Sequence, residues 1–136
     1  MDAGALEAFK TFLYPETKEL LVTFLTLVTT VFTLSMVLAE KFLTTGSGKI
    51  DRFVLFLTWG LFFLAIISAG WALHQLHIAG GCAYLPCLKE NMISVGLRNA
   101  LLFGEIGGAL FGCGLLGLAF TAFRRLMRTT PSNGNA

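Results

Sequence analysis

Residues 101–117 form the run LLFGEIGGALFGCGLLG, in which one carboxylate, Glu105, stands among glycines and large apolar side chains. Gly104, Gly108 and Gly112 recur every four residues as overlapping GxxxG pairs, so they lie along one face of a helix. In lipid, small residues at this spacing let a second helix approach closely. A carboxylate at such a depth is costly and normally faces protein or water. The run therefore predicts a membrane-spanning helix that packs against another helix.

The composition of the whole chain agrees with a membrane protein. Hydrophobic residues make up 55% of the 136 residues and charged residues only 13%, whereas soluble domains carry roughly 25% charged residues. Apart from Glu105, the charges stand between the apolar runs and at the chain ends. The formal net charge of +2 is too weak to indicate a nucleic-acid partner, and no basic stretch is interleaved with aromatics, so we expect no nucleic acid as a partner.

Three apolar runs are long enough to cross a bilayer, which takes roughly 20 helical residues. They cover about residues 20–39, 52–78 and 100–123. We therefore predict an all-α integral membrane protein, a bundle of three transmembrane helices within residues 15–128. The polar tail, residues 129–136, is predicted to be disordered.

The N-terminal residues 1–14 are predicted to form a short amphipathic helix, because Leu6, Phe9 and Leu13 share one helical face. Such a helix either lies in the plane of the membrane interface or extends the first span into water. Pro15 breaks or restarts the helix. The predicted fold includes it as an interfacial helix.

Basic residues in the short loops predict the orientation, because they concentrate on the cytoplasmic side. Six basic residues belong to the side of the first connection and the C-terminus, and four belong to the other side. We therefore expect a multi-pass protein of the plasma or bacterial inner membrane. Its N-terminus is predicted to lie outside and its C-terminus in the cytoplasm.

Two cysteines and two histidines gather near the second connection. Cys82 and Cys87 would face an oxidising compartment, which favours a disulfide that acts either as a structural link or as a redox pair. His74 and His77 share a helical face and are weak candidates for zinc ligands together with the cysteines. The alternatives are exposed or hydrogen-bonded histidines, or a pH-sensing role. No cofactor is predicted.

The polar residues inside the spans allow two interpretations. Glu105 either lines a water path and carries protons, or forms a hydrogen bond with another helix. Span one carries a stripe of threonines on one face, which either lines a hydrated path or packs with its hydroxyls bonded to its own carbonyls. The second interpretation is favoured for the threonines, which are Thr23, Thr26, Thr30 and Thr33.

These features support three hypotheses about function. The first is a membrane scaffold or accessory subunit that acts through helix packing, and the second is a homo-oligomeric pore or ion pathway. The third is a membrane protein that handles metals or electrons. The sequence contains no recognisable catalytic constellation, so we do not expect an enzyme. The expected partners are the lipid bilayer and either further copies of the chain or a larger membrane complex.

Overall fold

The computed structural model describes residues 3–44, 48–84 and 91–129, and almost all of them are helical. The described residues confirm the predicted all-α fold, and three of their helices, the number predicted, are long and apolar enough to cross a membrane. In chain order the elements are α1 (Ala3–Ala8), a π-helical turn (Phe9–Leu13), α2 (Tyr14–Thr44), α3 (Lys49–Tyr84) and α4 (Asn91–Thr129).

The N-terminal helix is joined to the first span, and its predicted position in the membrane interface stays a prediction. The chain passes from α1 into α2 through the π-helical turn, where the Tyr14 N–H donates to the Phe9 carbonyl. Pro15 follows at once; it has no N–H, and its ring would clash with the carbonyl four residues earlier. A π turn accommodates such a defect without ending the helix. Phe9 is fully buried in a cluster with Ala79, Ala83 and Ile93, so this segment packs against the bundle.

The antiparallel pair α3 and α4 forms the closest helix packing of the fold. Buried residues on α3 alternate at spacings of three and four, and most of them are small. The facing row on α4 repeats every seven residues. A seven-residue repeat of this kind is typical of left-handed helix pairs, in water and in membranes. The row on α3 is Leu55, Thr58, Phe62, Ala65, Ala69, Ala72, Leu76, Ala79 and Ala83, and the row on α4 is Ile93, Ala100, Gly107, Gly114 and Thr121.

Helix α2 buries Leu21, Val28, Ser35 and Ala39, and its Phe24 and Phe32 make ring contacts with the other two helices. Phe24 meets Phe111 of α4 edge-on, with ring centroids 5.8 Å apart. Phe32 meets Phe62 of α3 at 6.4 Å, and Phe62 also meets Phe111 at 5.7 Å. These four phenylalanines fill the space between the three helices at mid-height, so the interior of the monomer is apolar at this level.

Charged residues mark two boundaries of the apolar region. At one boundary an Nη1 of Arg124 lies 3.3 Å from an Oδ1 of Asp51, which joins the end of α4 to the start of α3. The other boundary carries Lys18 and Arg98 and is called here the N-terminal boundary. Arg98 and Arg124 are 26 residues apart on one helix, or about 39 Å, which exceeds the roughly 30 Å hydrocarbon core.

The helices continue past the predicted ends of the spans. Span two was expected to end near residue 78 and span three to begin near residue 100, but α3 reaches Tyr84 and α4 begins at Asn91. Gly80, inside the extension of α3, lies directly under the Tyr14 ring, where a Cβ would overlap that ring. The Tyr14 ring packs on Gly80, and α3 continues through this glycine instead of ending near residue 78 as the sequence suggested.

Candidate helix-docking site

One group of glycines on α4 faces α3, whereas the others lie against α2 or are open. The inward group packs against α3 so closely that a side chain would collide. A Cβ at Gly96 would lie 2.9 Å from the Ala79 Cβ, and a Cβ at Gly114 would lie 2.6 Å from a ring carbon of Phe62. At Gly117 it would overlap the Thr58 hydroxyl.

Sequence reasoning missed these inward glycines. The seven-residue repeat of Ala100, Gly107 and Gly114, which matches the alanine-rich repeat on α3, could have identified Gly107 and Gly114, whereas Gly96 and Gly117 lie outside that repeat. The α3–α4 contact also contains an interhelical hydrogen bond, in which the Ser68 hydroxyl donates to the Phe103 carbonyl at 2.6 Å. Gly107 lies beside this bond and keeps the two backbones close.

The predicted row of Gly104, Gly108 and Gly112 does not pack as one unit within the chain. Gly104 lies against α2, since a Cβ there would lie 3.4 Å from a methyl carbon of Leu21. At Gly108 and Gly112, nothing lies within 4 Å of the Cβ position in the part of the chain that the structure describes. Their role in contact with another molecule stays a prediction.

Glu105 belongs to this open side of α4. Its side chain is exposed, and among residues 3–44, 48–84 and 91–129 it has no hydrogen-bond or ion-pair partner. It lies seven residues from Arg98, or about 10 Å inside the N-terminal boundary. The sequence contains no other Asp, Glu, Lys or Arg in residues 20–39, 53–73 and 99–123, so it is the one charged side chain between the boundaries.

The polar groups that could have relieved Glu105 have other partners. Ser68, which lies at nearly the same height on α3, donates to the Phe103 carbonyl. His74, an imidazole near the same end of α3, is exposed and packs against Trp71, with ring centroids 5.9 Å apart. Gln75, one residue further along α3, packs at Gly96, and this places His74 near the level of Arg98.

Together these residues form a patch of small side chains around one carboxylate. Glu105, Gly108, Ala109 and Gly112 stand at positions i, i+3, i+4 and i+7, so they share one helical face. We call this face the α4 outer patch. It lies opposite the row that packs on α3. Apart from the carboxylate, the patch has only two glycines and the methyl group of Ala109, so another helix could approach its backbone closely.

The threonine stripe of α2 also faces outward. Thr23, Thr26, Thr30 and Thr33 are all exposed, on the side of α2 away from α3 and α4. Three of them bond to their own helix: the hydroxyls of Thr26, Thr30 and Thr33 donate to the carbonyls four residues earlier at 2.8–2.9 Å. Thr23 borders a shallow surface groove beside Pro15.

The histidines and cysteines do not form a cluster in the described residues. His74 and His77 are exposed on α3, and Cys82 is half-buried near Phe9. Within residues 3–44, 48–84 and 91–129, no group of three or more His, Cys, Asp or Glu side chains could hold a metal ion. Cys82 and the exposed Cys113 on α4 are free thiols there. Cys87 lies outside the described residues, so its pairing with Cys82 stays a prediction.

Comparison with protein-family models, with curated proteins and with solved structures gives no significant match for this chain.

Proposed function

We propose that this protein is a small membrane accessory subunit or scaffold that docks onto another transmembrane helix through the α4 outer patch. One observation carries the proposal: Gly108 and Gly112 are open, and they flank the one carboxylate between the membrane boundaries. The glycines on the other side of α4 are already packed against α3.

The outer patch is unfavourable for an isolated chain in lipid. A glycine inside a helix is destabilising by roughly 0.5–1 kcal/mol relative to alanine. In the described residues this cost is not offset by close packing at Gly108 and Gly112, because nothing lies within 4 Å of their Cβ positions. A lipid-facing carboxylate adds a second cost. A docked helix relieves both, since it packs closely on the glycines and covers Glu105.

The hydrogen bonds of the α2 threonines and the positions of the polar side chains favour an accessory role over a pore. The hydroxyls of Thr26, Thr30 and Thr33 donate to carbonyls of their own helix, so they offer a hydrated path only acceptor lone pairs and no free donor. The interior of the three-helix unit is filled by phenylalanine rings. The carboxylate and the threonines also lie on the outward faces of two different helices, α4 and α2.

A pair of glycine substitutions tests the proposal. Gly108→Leu places a large side chain on the outer patch, and Gly70→Leu makes the same change at an equally open glycine of α3. Because both sites are open, we expect both variants to keep the thermal midpoint of the purified monomer. We expect Gly108→Leu, and not Gly70→Leu, to reduce the mass of the complex extracted from its native membrane in mild detergent.

The control measurement is the wild-type mass under the same conditions. A wild-type protein that is extracted as a monomer would contradict the docking proposal. An intact complex in the Gly108→Leu variant would contradict it as well, because the substitution removes the close approach on which docking depends.

A further inference from the structure

We infer that the helix that docks on the α4 outer patch belongs to a different protein and carries a Lys or Arg side chain at the depth of Glu105. This inference rests on the proposed docking function and specifies the partner's chemistry. It starts from Glu105, which stands on the patch beside Gly108 with no ion-pair partner among the described residues.

The depth of Glu105 determines what can neutralise it. The carboxylate lies about 10 Å along the helix axis inward of Arg98, which marks the N-terminal boundary. In lipid, ionisable side chains within spans pair with one another or face water. The neighbours of the outer patch on α4 include the exposed apolar side chains of Leu101 and Leu116, which favour lipid or another helix over water. A positively charged side chain on a neighbouring helix is therefore the group best suited to neutralise the Glu105 carboxylate.

A second copy of the chain does not supply that charge. In a two-fold symmetric pair the same patch meets itself, so the two Glu105 carboxylates would lie at the same depth and repel each other. The nearest cations of the chain, Lys18 and Arg98, lie outward of Glu105. Lys18 lies about one helical turn before Leu21, which is the residue beside Gly104. Arg98 lies about two turns before Glu105. Long cationic side chains at such positions extend toward the interface rather than inward.

The neighbouring glycines make a direct ion pair sterically possible. Gly108 and Gly112 let the partner's backbone approach, which brings its basic side chain alongside Glu105. A partner helix with leucine at that position would still pack on the glycines but would leave the carboxylate unpaired. The basic residue therefore determines which helix is selected, and the glycines permit the contact.

Synthetic transmembrane peptides test this inference. The fluorescently labelled full-length protein is reconstituted in vesicles of neutral phosphatidylcholine with a Leu/Ala host peptide that carries Lys, Leu or Glu at the depth of Glu105. Binding is measured by energy transfer. We expect the Lys peptide to bind about tenfold more tightly than the Leu peptide, a difference of about 1.4 kcal/mol. Glu105→Gln should reduce this preference to about twofold or less, while binding of the Leu peptide stays unchanged.

The other outcomes separate this inference from the docking proposal. Equal binding of the Lys and Leu peptides that Gly108→Leu abolishes would overturn the basic partner and leave the docking face standing. If no peptide binds, and the complex extracted from the native membrane has the same mass for Gly108→Leu as for the wild type, the proposed docking face is wrong. Energy transfer between copies of the protein that the Lys peptide does not reduce would overturn the inference in favour of self-association.

Discussion

Gly96→Ala is the most direct test of how α3 and α4 pack. The added Cβ would lie 2.9 Å from the Ala79 Cβ and 3.1 Å from the Gln75 carbonyl oxygen. Ala79 is fully buried, and both atoms are fixed to the backbone of α3, so no side-chain rotation can relieve the contact. The two helices must therefore move apart at this point.

The size of the effect follows from these distances. Ordinary contacts between carbon atoms lie at about 3.5–4.0 Å, so the helices must separate locally by roughly 0.6–1.1 Å. A gap of this size forfeits about a quarter to a half of the dispersion energy of each contact. Overpacking of this kind typically destabilises by about 1–3 kcal/mol. Helix propensity opposes it, since alanine is favoured over glycine by about 0.5–1 kcal/mol.

Gly108→Ala is the matched control, because it makes the same change in the same helix where nothing lies within 4 Å of the Cβ position. Both variants gain the same stability from the higher helix propensity of alanine. The difference between their free energies of unfolding therefore measures the cost of overpacking at Gly96. We expect Gly108→Ala to be as stable as the wild type or more stable, and Gly96→Ala to be less stable than Gly108→Ala by about 1–3 kcal/mol. Equilibrium unfolding in mixed micelles with increasing SDS, followed by circular dichroism, measures the difference.

Equal stability of the two variants would refute the packing described for Gly96. A second test removes the opposing methyl group: Ala79→Gly in the Gly96→Ala background should recover part of the lost stability. The coupling energy between the two positions should then be favourable, as expected for residues in direct contact. Additive effects of the two substitutions would contradict that contact.

Three further predictions concern other parts of the molecule. Phe9→Ala should destabilise the protein by on the order of 3 kcal/mol, the usual cost of removing a buried phenylalanine, and should speed proteolysis of the N-terminal segment; an unchanged cleavage rate would contradict the burial of Phe9. Ser68→Ala removes the hydrogen bond to the Phe103 carbonyl and should cost about 0.6 kcal/mol, at most about 1.7, in the same unfolding assay; a loss well above that range would show that more than one bond is involved. If Cys82 and Cys87 form an external disulfide, a membrane-impermeant maleimide should label both on intact cells only after reduction, and labelling without reductant would exclude the bond.

Much of the fold could be predicted because lipid leaves the backbone few choices. A segment that crosses a bilayer must satisfy its own hydrogen bonds, so each apolar run of sufficient length has to be a helix. The three runs therefore predicted the three spans, and Glu105 was recognisable as the exceptional residue between the membrane boundaries. Pro15 was recognisable as an irregularity, but the sequence did not reveal that the chain passes it through a π turn or that Phe9 in this turn is buried against Ala79 and Ala83.

The sequence alone determined that α4 is a small-residue helix, and only the tertiary structure decided which of its faces is used within the chain. Both Gly104/Gly108/Gly112 and Gly107/Gly114 are rows on which a helix could pack. In water, hydrophobicity would separate a buried face from an exposed one, but in lipid both faces are apolar and packing geometry makes the choice. The alanine-rich row of α3 matches Gly107 and Gly114, and this match leaves Gly108, Gly112 and the Glu105 carboxylate on the outside.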